Sequence, residues 1–575
     1  MNRLLFIIPV LILVFFPACK TTPVPETPLP VQTPAPAEPE RPGSTGGAGG
    51  IVEEIRGLVE RGTPSSLIQA LELIRVRDIG NSEFGRVMNG VCGTLLRTLY
   101  PAVSAQIPPQ DLPQNHIYAR ILRDNERGVY TAHAASRDYL EQVLPFLALY
   151  PENGRTPDNE KLRAALPDMV RSAEFSPESV LAPFFIGVIY ERLGNVDSAF
   201  NSYSAAWELS SECYPAALGL ARAMDLQGRT AESINFLSEL AVYYPDNMQI
   251  KRQLAVAYYA SGDWSRAGPA IAEVLQRDSR DRDFILMRAH VLVEEGQYMQ
   301  AQTPLDLYAS VNPNSRLYLF LRARVQFEGY RNRDAALNYL RSLLRNSPTV
   351  IDDEATVYAV RLMIESSREP DQIEGRNLLQ RLLNNPDSSL ILITLALQDA
   401  IRRQAWPEAR PFVTRLLAER RSTQDLLGAY TVEKGMGNNA AALSHARELY
   451  EREPSFEEGA IAYITAMIDT GRRDEAARMI DARLGSAPAG ASKSRYFFLR
   501  SRTRTNDDAV MNDLRSSLFE DPRNLNALIA MFEIYHRRRD ERRAVYYLKQ
   551  ALALSPENPQ LKLYETEYAA LLGTM

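Results

Sequence analysis

The chain has 575 residues, 45% hydrophobic and 24% charged, more than one compact core usually holds, so several domains or an extended repeat array are expected and disorder throughout is excluded. A formal net charge of −6 lacks the basic footprint of a general nucleic-acid binder, so no nucleic-acid partner is expected. Three cysteines, Cys19, Cys92 and Cys213, supply neither a disulfide framework nor a CxxC metal site. Cys92 in VMNGVCGTLL and Cys213 at a helix start read as small core residues. A bridge between them stays open for an oxidising compartment.

The first element is MNRLLFIIPVLILVFFPA, residues 1–18, in which Arg3 precedes thirteen apolar residues, Leu4 to Phe16. That run is too short to span a bilayer comfortably and has the length of a signal-peptide core. It ends at Ala18 followed by Cys19, and VFFPAC resembles a bacterial lipoprotein signal, although Phe16 and Pro17 depart from its commonest form. The resemblance implies acylation of Cys19 as the new N-terminus. The alternative is an ordinary signal peptide with a chance cysteine. Lys20 after the cysteine implies the outer membrane, on its periplasmic or surface face. Residues 19–50 then form a tether. Eight prolines between Pro23 and Pro42 favour extended polyproline II, about 60 Å for twenty residues, and Gly43 to Gly50 form a flexible joint.

Residues 51–158 carry helical apolar spacing in IVEEIRGLVERG, SLIQALELIRVR and FGRVMNGVCGTLLRTLY, interrupted by a loop from Pro108 to Pro113. They are expected to form a helical N-terminal region covering the open end of a repeat array that begins at residue 159.

Within that array a period of 34 takes over. Gly194, Gly228, Gly262 and Gly296 stand 34 apart, and the next step lands on Tyr330 beside Gly329. Small residues recur seven before (Gly187, Ala221, Ala255, Ala289, Ala323) and five after (Ala199, Ser233, Ala267, Ala301, Ala335). A small mid-helix residue admits a neighbouring helix, a glycine ends the first helix with positive φ, and a second small residue receives the packing of the return helix. Each unit is therefore helix, tight turn, antiparallel helix, with stops at Pro177, Pro245 and Pro313. The unit FFIGVIYERLGNVDSAFNSYSAAWELS resembles the tetratricopeptide repeat (TPR) at Gly187, Tyr190, Gly194, Ala199, Tyr203 and Ala206.

The period returns after a break. Pro454, Pro488, Pro522 and Pro556 are 34 apart, with turns at Gly437 and Gly471 and small residues Ala442, Ala476 and Ala544. The runs are out of phase by five residues, so 349–422 is expected to hold degenerate units, with Trp406 and Ala409 marking the turn and packing position of one. The fold class read is all-α: a solenoid of helical hairpins in two runs, 159–348 and 423–575, the last segment NPQLKLYETEYAALL capping the array. Whether 349–422 bends as a hinge is left open.

No HExxH, GxSxG, Walker A loop, GxGxxG after a strand or EF-hand loop occurs, and His116, His133, His290, His445 and His536 lack metal spacing. A binding protein without metal or cofactor is expected, not an enzyme. HRRRDERR, from His536 to Arg543, reads as a helix corner partly neutralised by Asp540 and Glu541, with an anion-docking patch as the other reading. In the TPR family the first helix of each hairpin lines the concave groove. Residues ten, six and three before each turn share that face, which assigns Phe184, Arg222, Arg252, Tyr259, His290, Phe320, Arg324 and Phe327 to a partner-binding groove. Aromatics with arginine suit an extended peptide or an amphipathic helix. Apolar members serve equally well as packing between adjacent hairpins, and both readings stand. The resemblances together imply a membrane-anchored scaffold or adaptor for protein–protein interaction in the bacterial cell envelope, an assembly factor or regulator of an envelope machine. The alternative is a ligand-handling lipoprotein passing a small molecule to a transporter.

Overall fold

The structure, a computed structural model, describes residues 48–104, 113, 115–131, 133, 136–149, 159–346, 354–385 and 388–572. The expected signal segment, Cys19 and the tether as far as residue 47 lie outside them. All regular structure among the described residues is helical, and no helix there is long and apolar enough to cross a membrane. Two compact units divide the chain, one ending at Gly296 and the other starting at Gln297.

In the first unit, α1 (Ala48–Arg61), α2 (Pro64–Val76), α3 (Glu83–Leu99), α4 (Pro101–Ser104), α5 (Ile117–Glu126), α6 (Tyr139–Val143) and α7 (Asn159–Ser172) precede the hairpins. α1 starts three residues before the boundary expected at residue 51. Gly49 and Gly50 belong to its first turn, where N–H groups need no partner within the helix. The hairpins are α8 (Leu181–Arg192) with α9 (Val196–Leu209), α10 (Tyr214–Leu226) with α11 (Thr230–Tyr243), and α12 (Met248–Ala260) with α13 (Trp264–Arg277); α14 (Arg282–Glu294) ends the unit. One hydrophobic cluster runs from Ile55 in α1 through Leu95, Phe146, Phe185 and Tyr203 to Ile250 and Ala257 in α12. Hydrogen bonds reinforce it: the Tyr100 hydroxyl donates to the Gly62 carbonyl at 3.0 Å, and the Tyr139 hydroxyl to Ser179 at 2.6 Å. Cys92 and Cys213 are both free and buried, so the bridge left open is not formed. Burial pushes their thiols up to about 12 and about 11.

The second unit holds α15 (Tyr298–Ala309), α16 (Arg316–Arg324), a π-helical turn Val325–Gly329, α17 (Arg333–Asn346), α18 (Glu354–Ile364), α19 (Glu369–Leu383), α20 (Leu390–Arg402) and α21 (Trp406–Glu419). It continues with α22 (Thr423–Gly435), α23 (Asn439–Arg452), α24 (Glu457–Asp469), α25 (Arg473–Leu484), α26 (Ala491–Thr503), α27 (Asp507–Glu520), α28 (Leu525–Arg537), α29 (Glu541–Leu554), α30 (Pro559–Glu567) and α31 (Ala569–Leu572). Leu561 and Tyr568 of the final segment pack onto the core of α28 and α29, while Leu563 stays exposed.

One rule ties turn to packing in most of the hairpins. Gly194, Gly228, Gly262 and Gly296 have φ between 72° and 77°, and the residue five positions on is buried and small each time. At Gly228, for example, the left-handed backbone ends α10, and Ser233 donates its hydroxyl to the Ala221 carbonyl at 3.0 Å. The next left-handed residue is Arg331, not Tyr330, and the buried alanine is Ala336, not Ala335. The π turn after α16 accounts for both shifts, since it absorbs one extra residue before the turn. The degenerate stretch follows the same rule at Gln404 with Ala409. Trp406 opens α21, and the turn residue is Gln404.

Candidate binding groove

Side-chain capping sets the starts of α12 and α14 and also part of the site. Asn247 caps α12 through bonds of 3.0 and 3.3 Å from the Gln249 and Ile250 amides. Asp281 caps α14, accepting from the Asp283 and Phe284 amides at 3.1 and 3.2 Å through Oδ1. Its Oδ2 is left to hold Arg252 at 2.5 Å. A terminus and a groove side chain thus share one carboxylate.

α10, α12 and α14 line an open cavity of about 610 Å³ on one side of the first unit. Its lining keeps the 34-residue register: Pro215, Gln249 and Asp283 form one row, and Leu218 with Arg252 a second. Gln253 with Met287 and Arg222 with Val256 form two more, Asp225 and Phe284 completing the wall. Arg222 reaches back to α8, donating to both Glu191 oxygens at 2.7 and 3.0 Å, a bidentate pair. Burial raises the Glu191 carboxyl, but the Arg222 bonds outweigh it and hold the group below the usual carboxylate value. The Tyr203 hydroxyl donates to the same carboxylate. Gln253 donates to the Leu218 carbonyl at 2.8 Å and accepts from Arg222 at 3.5 Å. The Arg252 guanidinium also lies 4.6 Å from the centre of the Phe284 ring. Asp225 is pushed above its ordinary value by burial.

The residues assigned to the groove from sequence fall in four places. Arg222 and Arg252 line the cavity together. Tyr259 and His290 meet beside one another, hydroxyl to Nδ1 at 2.6 Å, with Trp264 closing on both rings. Phe320, Arg324 and Phe327 belong to the second unit. There Arg324 sits 5.7 Å from the Phe320 ring centre and Arg333 5.0 Å from that of Phe327. Phe184 and Phe320 are only 2% and 5% exposed, which places them in the hairpin core and not on an accessible surface. Phe184 packs against Phe185 and Tyr203, Phe320 against Tyr358. The position ten before the turn faces inward where the residue is a large aromatic, because a phenyl ring gains more from burial than it loses in rotamer freedom. Missed were Pro215, Gln249, Gln253, Asp283, Phe284 and Met287. Two rows of these repeat at 34, thirteen and nine before the turn, so the signal was in the period but one helical turn earlier than expected.

In the second unit the π turn brings Glu328 between two tyrosines. It accepts from the Tyr298 hydroxyl and, at 3.0 Å, from that of Tyr358, and stands 3.5 Å from Arg324. Among the described residues no group of His, Cys, Asp and Glu side chains is placed to hold a metal ion.

Residues 216–247, from α10 to the start of α12, match the tetratricopeptide repeat model. The same turn-and-small-residue unit recurs on both sides of that segment. The chain contains tetratricopeptide repeats. No curated protein matches it. Among solved structures the chain is similar to yeast Tom70, at 13% identity over 72% of this chain and 93% of that one, TM-score 0.33. It is similar to a tetratricopeptide repeat protein from Parabacteroides merdae, at 14% identity over 45% of this chain and 98% of that one, TM-score 0.35. A third similarity is to PilW, a type IV pilus biogenesis factor, at 20% identity over 37% and 96%, TM-score 0.32.

Proposed function

We propose that this TPR protein is a scaffold or adaptor of the bacterial cell envelope that binds a segment of a protein partner in the groove of α10, α12 and α14, and that it performs no catalysis. The observation that carries the reading is the cavity itself: rows of side chains 34 residues apart, with an apolar floor and a rim of guanidinium and amide groups. Such a repeating rim suits a ligand that is itself a repeat, namely an extended backbone with side chains at regular intervals. The membrane part of the proposal rests on sequence alone: an acyl chain on Cys19 holds the body at the outer membrane through the proline-rich tether.

Photo-crosslinking in cells tests the groove. A probe at Val256, inside the cavity, is expected to give one discrete protein adduct, and a probe at the exposed Val242 of α11 none. Equal labelling from both positions would sink the reading. A small molecule retained on the purified protein, with no protein adduct, would favour ligand handling instead. Mass spectrometry of the mature N-terminus, with Cys19→Ser as control, reports on the anchor separately.

A further inference from the structure

The charge balance of the cavity says what kind of segment enters it, an inference that rests on the groove reading above. Both guanidiniums of the lining are already committed to carboxylates, Arg222 to Glu191 and Arg252 to Asp281. The two carboxylates of the lining are in the opposite condition. Neither Asp225 nor Asp283 forms an ion pair with any described residue, and Asp225 Oδ1 is buried without a hydrogen bond. The one donor beside Asp225 is the neutral Ser233 hydroxyl, whose single proton is shared with the Ala221 carbonyl 3.0 Å away. Gln253 is likewise spent on the Leu218 carbonyl and on Arg222. Counting the carboxylates that hold the arginines, two guanidiniums stand among four carboxylates. A buried acceptor without a donor is costly, so what the site lacks is a cationic donor.

We propose that the cavity takes an extended protein segment in which a lysine or arginine stands beside an aliphatic residue. The aliphatic side chain lies on the floor formed by Leu218, Val256 and Met287, and the cation pairs with Asp225 or Asp283. An acidic segment or a terminal carboxylate finds no uncommitted cation in this lining.

The test is selection of a random nonapeptide library, displayed on phage, against the full chain. Selected peptides are expected to be enriched in Lys or Arg next to Leu, Ile, Val or Met. Their synthetic forms should bind about tenfold more weakly to the Asp225→Asn/Asp283→Asn variant and weaken as salt rises. Val256→Trp, which fills the cavity from an exposed position, should abolish binding while circular dichroism stays unchanged. Peptides that Val256→Trp blocks but that lack basic enrichment, or that ignore the two Asn substitutions, overturn this inference and leave the groove reading standing. Peptides indifferent to Val256→Trp, or no selected peptide at all, overturn the groove reading and this inference with it.

Discussion

Tyr203 shows how a single side chain fixes both the packing and the groove. Its ring lies between Gly187 on α8 and Gly219 on α10, and a methyl group added at either glycine would come within 2.6 or 2.5 Å of it. Its hydroxyl bonds Glu191, which in turn holds Arg222 at the edge of the cavity. Gly187→Ala or Gly219→Ala is therefore expected to cost about 1–3 kcal/mol by overpacking. The loss should appear as faster amide exchange across α8–α10 in the full chain. Gly57 in α1 has nothing within 4 Å of an added methyl, so Gly57→Ala should be neutral or slightly stabilising. Unchanged exchange in both groove-side variants would mean that the ring slides freely. Gly187 and Tyr203 were legible because they fall on the repeat positions. Gly219 was not, because the approach it permits comes from the preceding hairpin, which no local pattern encodes.

At the scale of the element, the turn-and-alanine rule was legible wherever the turn residue is glycine. The turn residue itself was hidden at Arg331, Gln404 and Arg539, where non-glycine residues take φ of 56° to 58° at a cost of about 1–2 kcal/mol each. Their buried partners Ala336, Ala409 and Ala544 obey the spacing all the same, so packing of the return helix outweighs local preference. The hairpin of α18 and α19 solves the turn differently. No residue from 365 to 368 is left-handed, and the buried Asp371 gathers the corner instead. It accepts from Ser366 at 2.8 Å, from Arg368 at 2.9 and 3.1 Å, and from Arg341 of α17 at 2.8 Å. The Arg368 bonds lead in holding its carboxyl far below the ordinary 3.8, against burial, with Ser366 and Arg341 adding to them. A carboxyl with a depressed folded-state pKa stabilises fully above its unfolded value, and the contribution fades as pH falls below about 4. Asp371→Asn should therefore lower protection of residues 354–383 by about 1–3 kcal/mol at pH 7. The gap between variant and wild type should shrink steadily below pH 4. A gap that persists undiminished at pH 2.5 would show that Asp371 acts through shape and not charge.

At the scale of the molecule, sequence separated residues 51–158 from the repeats because they do not keep the 34-residue register. The separation is one of pattern and not of core. Leu181 of α8 occupies the space beside Gly62, Phe146 and Phe185 stand 6.2 Å apart, and the Ala182 amide donates to the Tyr139 hydroxyl at 3.2 Å. Val180, Leu181 and Phe185 are at most 2% exposed, and the surface covering them comes in good part from α1–α7. The first hairpin has no preceding hairpin to bury its outer face, and a repeat array needs a terminal cap for that reason. Burying each such side chain stabilises by about 1.5–3 kcal/mol, so three of them exceed what a single hairpin can forgo. A chain beginning at residue 177 is accordingly expected to bind a hydrophobic dye, self-associate on gel filtration and lose the cooperative melting of α8–α13. The periodicity could not announce this, since it reports how a helix meets its copy, whereas α1–α7 meet α8 through unlike surfaces matched only in three dimensions. A monomeric, dye-silent fragment with unchanged melting would make α1–α7 a separate domain, and the continuous core from Ile55 to Ala257 would then be two cores in contact.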